Sequence, residues 1–350
     1  MKELILHAGM NKTGSSSIQK SLRALSGEKI NFLKWKWENH SDLFMLLFQD
    51  KILREKYHIF KTQGWSAADL DRETEIWQEV LSKELLVNKF ETTLFSAEDA
   101  SQPNVSVVAM QRFYDFFAPH FDRIRVIAYV RSPYSFANSA FQQRVKSGGI
   151  KKIDMHTLWP NYRLRFEKLD EVFGQENVFL VHFTPSELFD GDVVSDFCRR
   201  IDIELSDTSR TRANDSLSLE ALSLLYYQRK YGVGINRGSR GSTKANNAFV
   251  HAISKIGSTK FQFEPEAFCN VLEENRSDLN WIEGRMGKSV TQDLSGLSGG
   301  VKTEEDLENV ALKHWPDLLR CLETFRANDP LMCSKKLAHT LNTYAGLFLN

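Results

Sequence analysis

The sequence predicts a doubly wound α/β fold, a mainly parallel sheet flanked by helices. Three observations predict it. Short, nearly continuous apolar runs recur at Leu4–Ala8, Arg125–Val130 and Val178–Phe183, the pattern of strands covered on both faces. Stretches with apolar residues at helical spacing separate them. A glycine-bearing loop joins the first strand to the first helix, a P-loop-like strand–loop–helix at the N-terminus.

Taken in order, Leu4–Ala8 opens the chain as a strand. Gly9 and Gly14 frame a turn, and Ile18, Leu22 and Leu25 then mark one face of a helix. A second helix follows Ser66, with Leu70, Trp77, Val80, Leu81 and Leu85 on one face. Thr92–Ser96 is a strand, and Arg125–Val130 a clearer one. Ser132 and Pro133 start a helix, because proline suits a first turn where its missing N–H is not needed. That helix runs to about Lys146 and stops at Gly148 and Gly149. Val178–Phe183 is another strand, with Val193–Ile201 as its helix. The expected organisation is one α/β domain over residues 1–350. It carries a helical insertion around 35–90, a basic loop or partly mobile lid around 232–260, and a mixed, mostly helical part at 264–350.

Length and composition exclude several classes. The 350 residues enclose a sizeable core, and 45 Lys+Arg balance 45 Asp+Glu. Zero net charge argues against holding nucleic acid or anionic membrane by bulk electrostatics. The longest apolar cluster, Leu43–Phe48, is too short to span a bilayer, and no signal sequence is expected. Cys198, Cys269, Cys321 and Cys333 form no CxxC pair and are read as reduced thiols of a cytoplasmic protein.

The loop Gly9-Met10-Asn11-Lys12-Thr13-Gly14-Ser15-Ser16-Ser17 has the parts of an anion cradle: glycines, a helix N-terminus, hydroxyls and a lysine. It is not Walker A, because the lysine precedes the second glycine by two residues and Ser15 follows it. Lys12-Thr13-Gly14-Ser15-Ser16 resembles the 5′-phosphosulfate loop of sulfotransferases that use 3′-phosphoadenosine-5′-phosphosulfate (PAPS). The resemblance implies that Lys12 meets the bridging oxygen of the departing phosphate. It implies also that Thr13, Gly14, Ser15 and Ser16 hold the 5′-phosphate, with Asn11 and Ser17 flanking them. PAPS would be the co-substrate, and no metal is required.

A second element of the resemblance is Arg131, at the end of the Arg125–Val130 strand, with Ser139 eight residues on. In the family these positions bind the 3′-phosphate. An Arg-x₇-Ser spacing alone fits a surface arginine and a helix serine better. Its place after the strand and its pairing with the first motif give it weight. Val178–Phe183 and the Asn214-Asp215-Ser216-Leu217 stretch extend the likeness weakly, to about residues 3–230. Two departures stand out. Ser17 occupies the place where many members have an adenine-stacking tryptophan, and no Arg-Lys-Gly segment is present.

An acceptor hydroxyl needs a general base. Glu98, in Phe95-Ser96-Ala97-Glu98-Asp99, follows a strand and should reach the edge where ligands bind in such sheets. His40 is the second choice. His7, inside the first strand, reads as a core histidine, and Trp35, Trp37, Phe44 and Phe48 as core or a pocket wall. Between Ala221 and Phe263 there is no acid, while Arg229, Lys230, Arg237, Arg240, Lys244, Lys255 and Lys260 all fall there. Arg237 and Arg240 are therefore candidates to close over the donor in place of Arg-Lys-Gly. The expected activity is sulfuryl transfer from PAPS to a hydroxyl, with a glycan or glycolipid favoured as acceptor. The alternatives are a metal-dependent, kinase-like phosphotransferase and a non-catalytic nucleotide-binding module.

Overall fold

The computed structural model describes residues 1–150, 152–204, 216–232 and 240–320. In chain order its elements are β1 (Glu3–His7), α1 (Ser15–Arg23), β2 (Asn31–Phe32), α2 (Ser41–Leu47), α3 (Lys51–Lys56), α4 (His58–Gln63), α5 (Ala67–Val87), β3 (Thr92–Ser96), α6 (Val107–Phe117) and β4 (Arg123–Val130). They continue with α7 (Pro133–Lys146), α8 (Tyr162–Phe173), β5 (Val178–His182), α9 (Val193–Arg200), α10 (Leu219–Tyr231), α11 (Arg240–Ile253), α12 (Glu266–Glu274), α13 (Arg276–Met286) and α14 (Glu304–Lys313). The chain divides into two compact units. One comprises Met1–Ser132, Asn161–Asn214 and Arg276–Thr291; the other comprises Pro133–Pro160, Asp215–Asn275 and Gln292–Asn350.

The first unit carries the expected α/β sheet: five parallel strands in the order β2-β3-β1-β4-β5. From β1 the chain moves outward to β2 and returns to β3 on one side. It then crosses to β4 and β5 on the other. The loops leaving β1 and β4 therefore diverge at adjacent strands, a topological switch point where such sheets bind ligands. Alternation along the strands divides the core between two faces. Ile5, Leu94, Ile127, Tyr129 and Val181 meet Ile18 and Leu22 of α1 and Val194 and Phe197 of α9. On the opposite face Phe95 packs edge-on against Phe113 and Phe117 of α6, and Phe113 reaches Phe173 of α8. Phe113 is fully buried, and cutting it to alanine would cost about 3–5 kcal/mol.

Local signals explain the ends of the helices. Ser66 caps α5 through a reciprocal capping box with Asp69, and the side chains of Ser106 and Asp192 cap α6 and α9. Between β2 and β3 lies the helical insertion α2–α5. Trp35, Phe44 and Phe48 are buried in it, whereas Trp37 is half exposed.

The second unit is helical. Phe141 of α7 stacks on Phe261, and Tyr226 of α10 lies beside it. Lys230 on α10 bridges Glu304 and Glu308 of α14. The sequence reading of 232–260 as a loop is corrected here, because α11 occupies Arg240–Ile253. Phe249, Ala252 and Ile253 recur at helical spacing and are buried. Two cations of the acid-free stretch Ala221–Phe263 also serve this unit internally. Arg229 is buried and donates to the Val145 carbonyl and to Asn246, and Lys230 holds α14. Arg237 lies outside the described residues, as do Cys321 and Cys333. No helix among the described residues is long and apolar enough to cross a membrane.

Candidate active site

The loop from β1 to α1 is drawn tight by its own side chains. Thr13, fully buried, donates its hydroxyl to the Met10 carbonyl at 2.7 Å. Gly9 is tightly packed: a Cβ there would lie 3.0 Å from Thr13 Oγ1 and 3.2 Å from the Tyr129 amide nitrogen, so its neighbours would have to give by a few tenths of an ångström. Lys12 and Gly14 both take left-handed backbone, at φ 64° and φ 80°. Alternation of this kind turns successive N–H groups toward one side, the geometry of an anion-binding nest. Gly14 is also the N-cap of α1, and no side chain caps that helix; the Ser17 N–H bonds the Gly14 carbonyl at 2.9 Å, which leaves the N–H groups of Ser15 and Ser16 at the open helix start. Ser16 is exposed, Ser17 is half-buried, and the buried Ser15 hydroxyl makes no hydrogen bond of normal geometry. Open N–H groups at a helix start are what an anionic ligand would complete.

Arg131 comes to the same place from β4. Its guanidinium donates to the Lys12 carbonyl at 3.0 Å and lies over the Phe183 ring, and its backbone carbonyl accepts from the Tyr162 hydroxyl at 2.6 Å. Burial lowers its pKa to about 10, which leaves it charged at neutral pH. The fold thus joins the two sequence motifs through a hydrogen bond. Ser139 lies half-buried on α7 in the second unit. Arg240 is the first residue of α11, and its side chain lies outside the description.

Glu98 opens a 3₁₀ turn, Glu98–Ser101, directly after β3. Its carboxyl accepts from Asn39 Nδ2 at 3.3 Å. Burial, and then the negative charge of Asp99, raise its pKa to about 7. Lys12, Asn39 and the Ser15 hydroxyl oppose that rise. Lys12 is therefore within electrostatic reach of Glu98, and a carboxyl near pKa 7 is well matched to accepting a proton at neutral pH.

His40 is corrected from candidate base to structural residue. It is fully buried; its Nδ1 accepts from the Ser96 N–H at 2.9 Å and its Nε2 lies 2.9 Å from the Leu33 carbonyl. Desolvation lowers its pKa to about 3. With both nitrogens engaged by backbone, it ties the segment before α2 to the end of β3 and so holds the neighbouring Asn39 against Glu98. His7 is the expected core histidine, fully buried, with Nδ1 at 2.8 Å from Ser96 Oγ.

Residues that motif spacing does not reveal join the expected Asn11 at the site. Asn11 turns its side-chain carbonyl to Gln102 Nε2 at 2.9 Å, and the same amide donates to Asp99 at 3.2 Å. Asp99 also accepts from the Tyr57 hydroxyl at 2.7 Å, which lies 3.1 Å from Asp42. Behind this segment Arg165 and Lys168 of α8 donate to the carbonyls of Ser101 and Gln102. These residues come from five separate stretches of chain. Only Asp99, on the 3₁₀ turn, and Gln102, which caps it three residues on, carry any local signal.

No family model matches the chain, and no curated protein matches it in sequence. Among solved structures the chain is similar to sulfotransferases. One, from Alicyclobacillus acidocaldarius, shares 16% identity over 72% of this chain and 96% of its own, with a TM-score of 0.38. Another, the sulfotransferase domain from the curacin biosynthetic pathway, shares 12% over 79% of this chain and 98% of its own, with a TM-score of 0.36. At such values neither neighbour assigns a role to any residue here, and the site is read from its own geometry.

Proposed function

We propose that this protein is a sulfotransferase that moves a sulfuryl group from PAPS to an acceptor hydroxyl, with a glycan or glycolipid as the favoured acceptor class. One observation carries the reading: an anion-shaped loop at the sheet's switch point receives Arg131 on the Lys12 carbonyl and brings Lys12 within electrostatic reach of a carboxyl, Glu98, whose pKa lies near 7. In-line transfer needs a cation where charge develops on the leaving phosphate and a base where the acceptor proton departs. Lys12 and Glu98, within electrostatic reach of each other, supply these. The acceptor oxygen forms a bond to sulfur as the bond from sulfur to the bridging phosphate oxygen breaks. The acceptor proton passes to a Glu98 carboxyl oxygen, Lys12 and the loop N–H groups hold the departing phosphate, and 3′-phosphoadenosine-5′-phosphate (PAP) remains. The exposed Trp37, two residues before Asn39 in the chain, offers a ring against which a sugar face can lie.

The test begins with binding. PAP should raise the unfolding temperature in the absence of magnesium, and labelled PAPS should transfer its sulfur to one of a panel of glycan, glycolipid and phenol acceptors. Stabilisation by ATP with Mg²⁺ and not by PAP would replace this reading with the kinase-like one. PAP binding without transfer to any acceptor or to water would leave a nucleotide-binding module.

A further inference from the structure

The loop bearing Lys12 and the turn bearing Glu98 leave different strands, yet in-line transfer requires them to stay at a fixed spacing. We propose that Gln102 is the positioning residue that sets this spacing, by cross-linking Asn11 on the phosphate loop to Asp99 beside the base. The inference rests on the sulfotransferase reading for its meaning, but not for its test. Gln102 Nε2 has two protons, and both have acceptors: Asn11 Oδ1 at 2.9 Å and Asp99 Oδ1 at 3.2 Å. The acceptor end of the same amide, Oε1, faces Arg165 Nη1 at 3.4 Å. Arginine can only donate, so the amide cannot turn over without facing donor to donor. Lys168 holds the Gln102 backbone carbonyl from α8, and the Gln102 N–H closes the turn on the Asp99 carbonyl at 3.0 Å. Asn11 precedes Lys12, and Asp99 follows Glu98. A single amide, clamped at its acceptor end, thus ties the residue next to the cation to the residue next to the base. Gln102 itself reaches neither group, so its effect passes through Asn11 and Asp99.

The consequence is measurable as coupling between Lys12 and Glu98, which needs no donor or acceptor. The Glu98 carboxyl would be titrated by ¹³C NMR in the wild type, Lys12→Ala, Gln102→Met and the double variant. Removing Lys12 should raise the Glu98 midpoint by about one unit when the two are held close. With Gln102→Met the same removal should shift it by less than half as much. Gln102→Glu, which keeps the shape but sets carboxylate against carboxylate at Asp99, gives a second background should the methionine variant fold poorly. An equal Lys12 shift in every background overturns the proposal. In parallel, PAPS hydrolysis and PAP affinity are followed for Gln102→Met. Hydrolysis should fall about ten-fold while the PAP dissociation constant changes less than three-fold. Loss of both together, with a lowered melting temperature, marks Gln102 as merely structural and also overturns it. A wild type that binds no PAP defeats the sulfotransferase reading alone, while the coupling still decides the role of Gln102.

Discussion

Lys12 sits in left-handed backbone, a conformation that a β-carbon disfavours. The position directs its carbonyl to Arg131 and brings its side chain within reach of Glu98. Lys12→Ala should therefore lower turnover by ~10²–10³, as loss of one preorganised donor does, with PAP binding reduced far less. Near-normal turnover in that variant would take Lys12 out of the mechanism. Glu98 should govern the acid side of the pH–rate profile. Its carboxylate is the active form, so activity rises with pH through about 7. The groups facing it are Asp99, which raises the pKa, and Lys12, Asn39 and Ser15, which lower it. Asp99→Asn removes the like charge and should carry the acid limb to lower pH, and an unmoved limb would mean that another group titrates. His40 makes the opposite case. Its value is in two backbone hydrogen bonds, and His40→Ala should cost roughly 2–4 kcal/mol in urea unfolding by leaving the Ser96 N–H and Leu33 carbonyl unpaired in the interior.

At the scale of elements, α1 is placed by a glycine that serves both the turn and the packing. Gly14 has φ 80°, and a Cβ on it would stand 2.5 Å from Val193 Cγ1 on α9. Gly14→Ala must strain the backbone and push α1 away from α9. The expected result is a loss of about 2 kcal/mol or more of stability together with weaker PAP binding, because the N–H groups of the first turn are displaced. A variant of wild-type stability and PAP affinity would show that the helix start tolerates movement. The strand–loop–helix itself was legible because its signals are local. An apolar run, Gly14 and Ile18-Leu22 spacing all lie within one stretch, and β3 falls where its sequence pattern places it. The place of Glu98 was legible for a similar reason, since a polar residue just after a buried strand must emerge at the sheet edge. Asn39, Tyr57, Gln102 and Arg165 were not. They meet through the sheet order and the helical insertion, which no spacing along the chain encodes. The 232–260 segment misled because glycine, serine and lysine dominate its composition, while the short apolar repeat at Phe249, Ala252 and Ile253 decides its structure through burial.

For the whole molecule, the site is a cost that the rest of the first unit carries. The carboxyl of Glu98 has its pKa raised from the ordinary 4.5 to about 7 in the folded protein. Above pH 7 it is ionised in both states, and the fold bears the full desolvation of the charge. Below about 4.5 it is protonated in both, and that burden vanishes. In between, the native state binds more protons than the unfolded chain, so this group makes stability fall as pH rises through the window from 4.5 to 7. The full shift corresponds to about 3 kcal/mol, and screening at the partly open edge brings the expected contribution nearer 2 kcal/mol. Glu98→Gln keeps the acceptor oxygen for Asn39 and removes the titration. It should therefore stabilise the protein by about 2 kcal/mol relative to wild type at pH 8, and by little at pH 4, where the wild-type carboxyl is itself neutral. Urea unfolding of both proteins at the two pH values, each compared with its partner at the same pH, isolates this group from every other titration in the chain. An equal difference at both pH values would show that the Glu98 pKa is not raised. A gain confined to high pH, paired with loss of PAPS turnover, would show stability given up at the residue where the proton must be received.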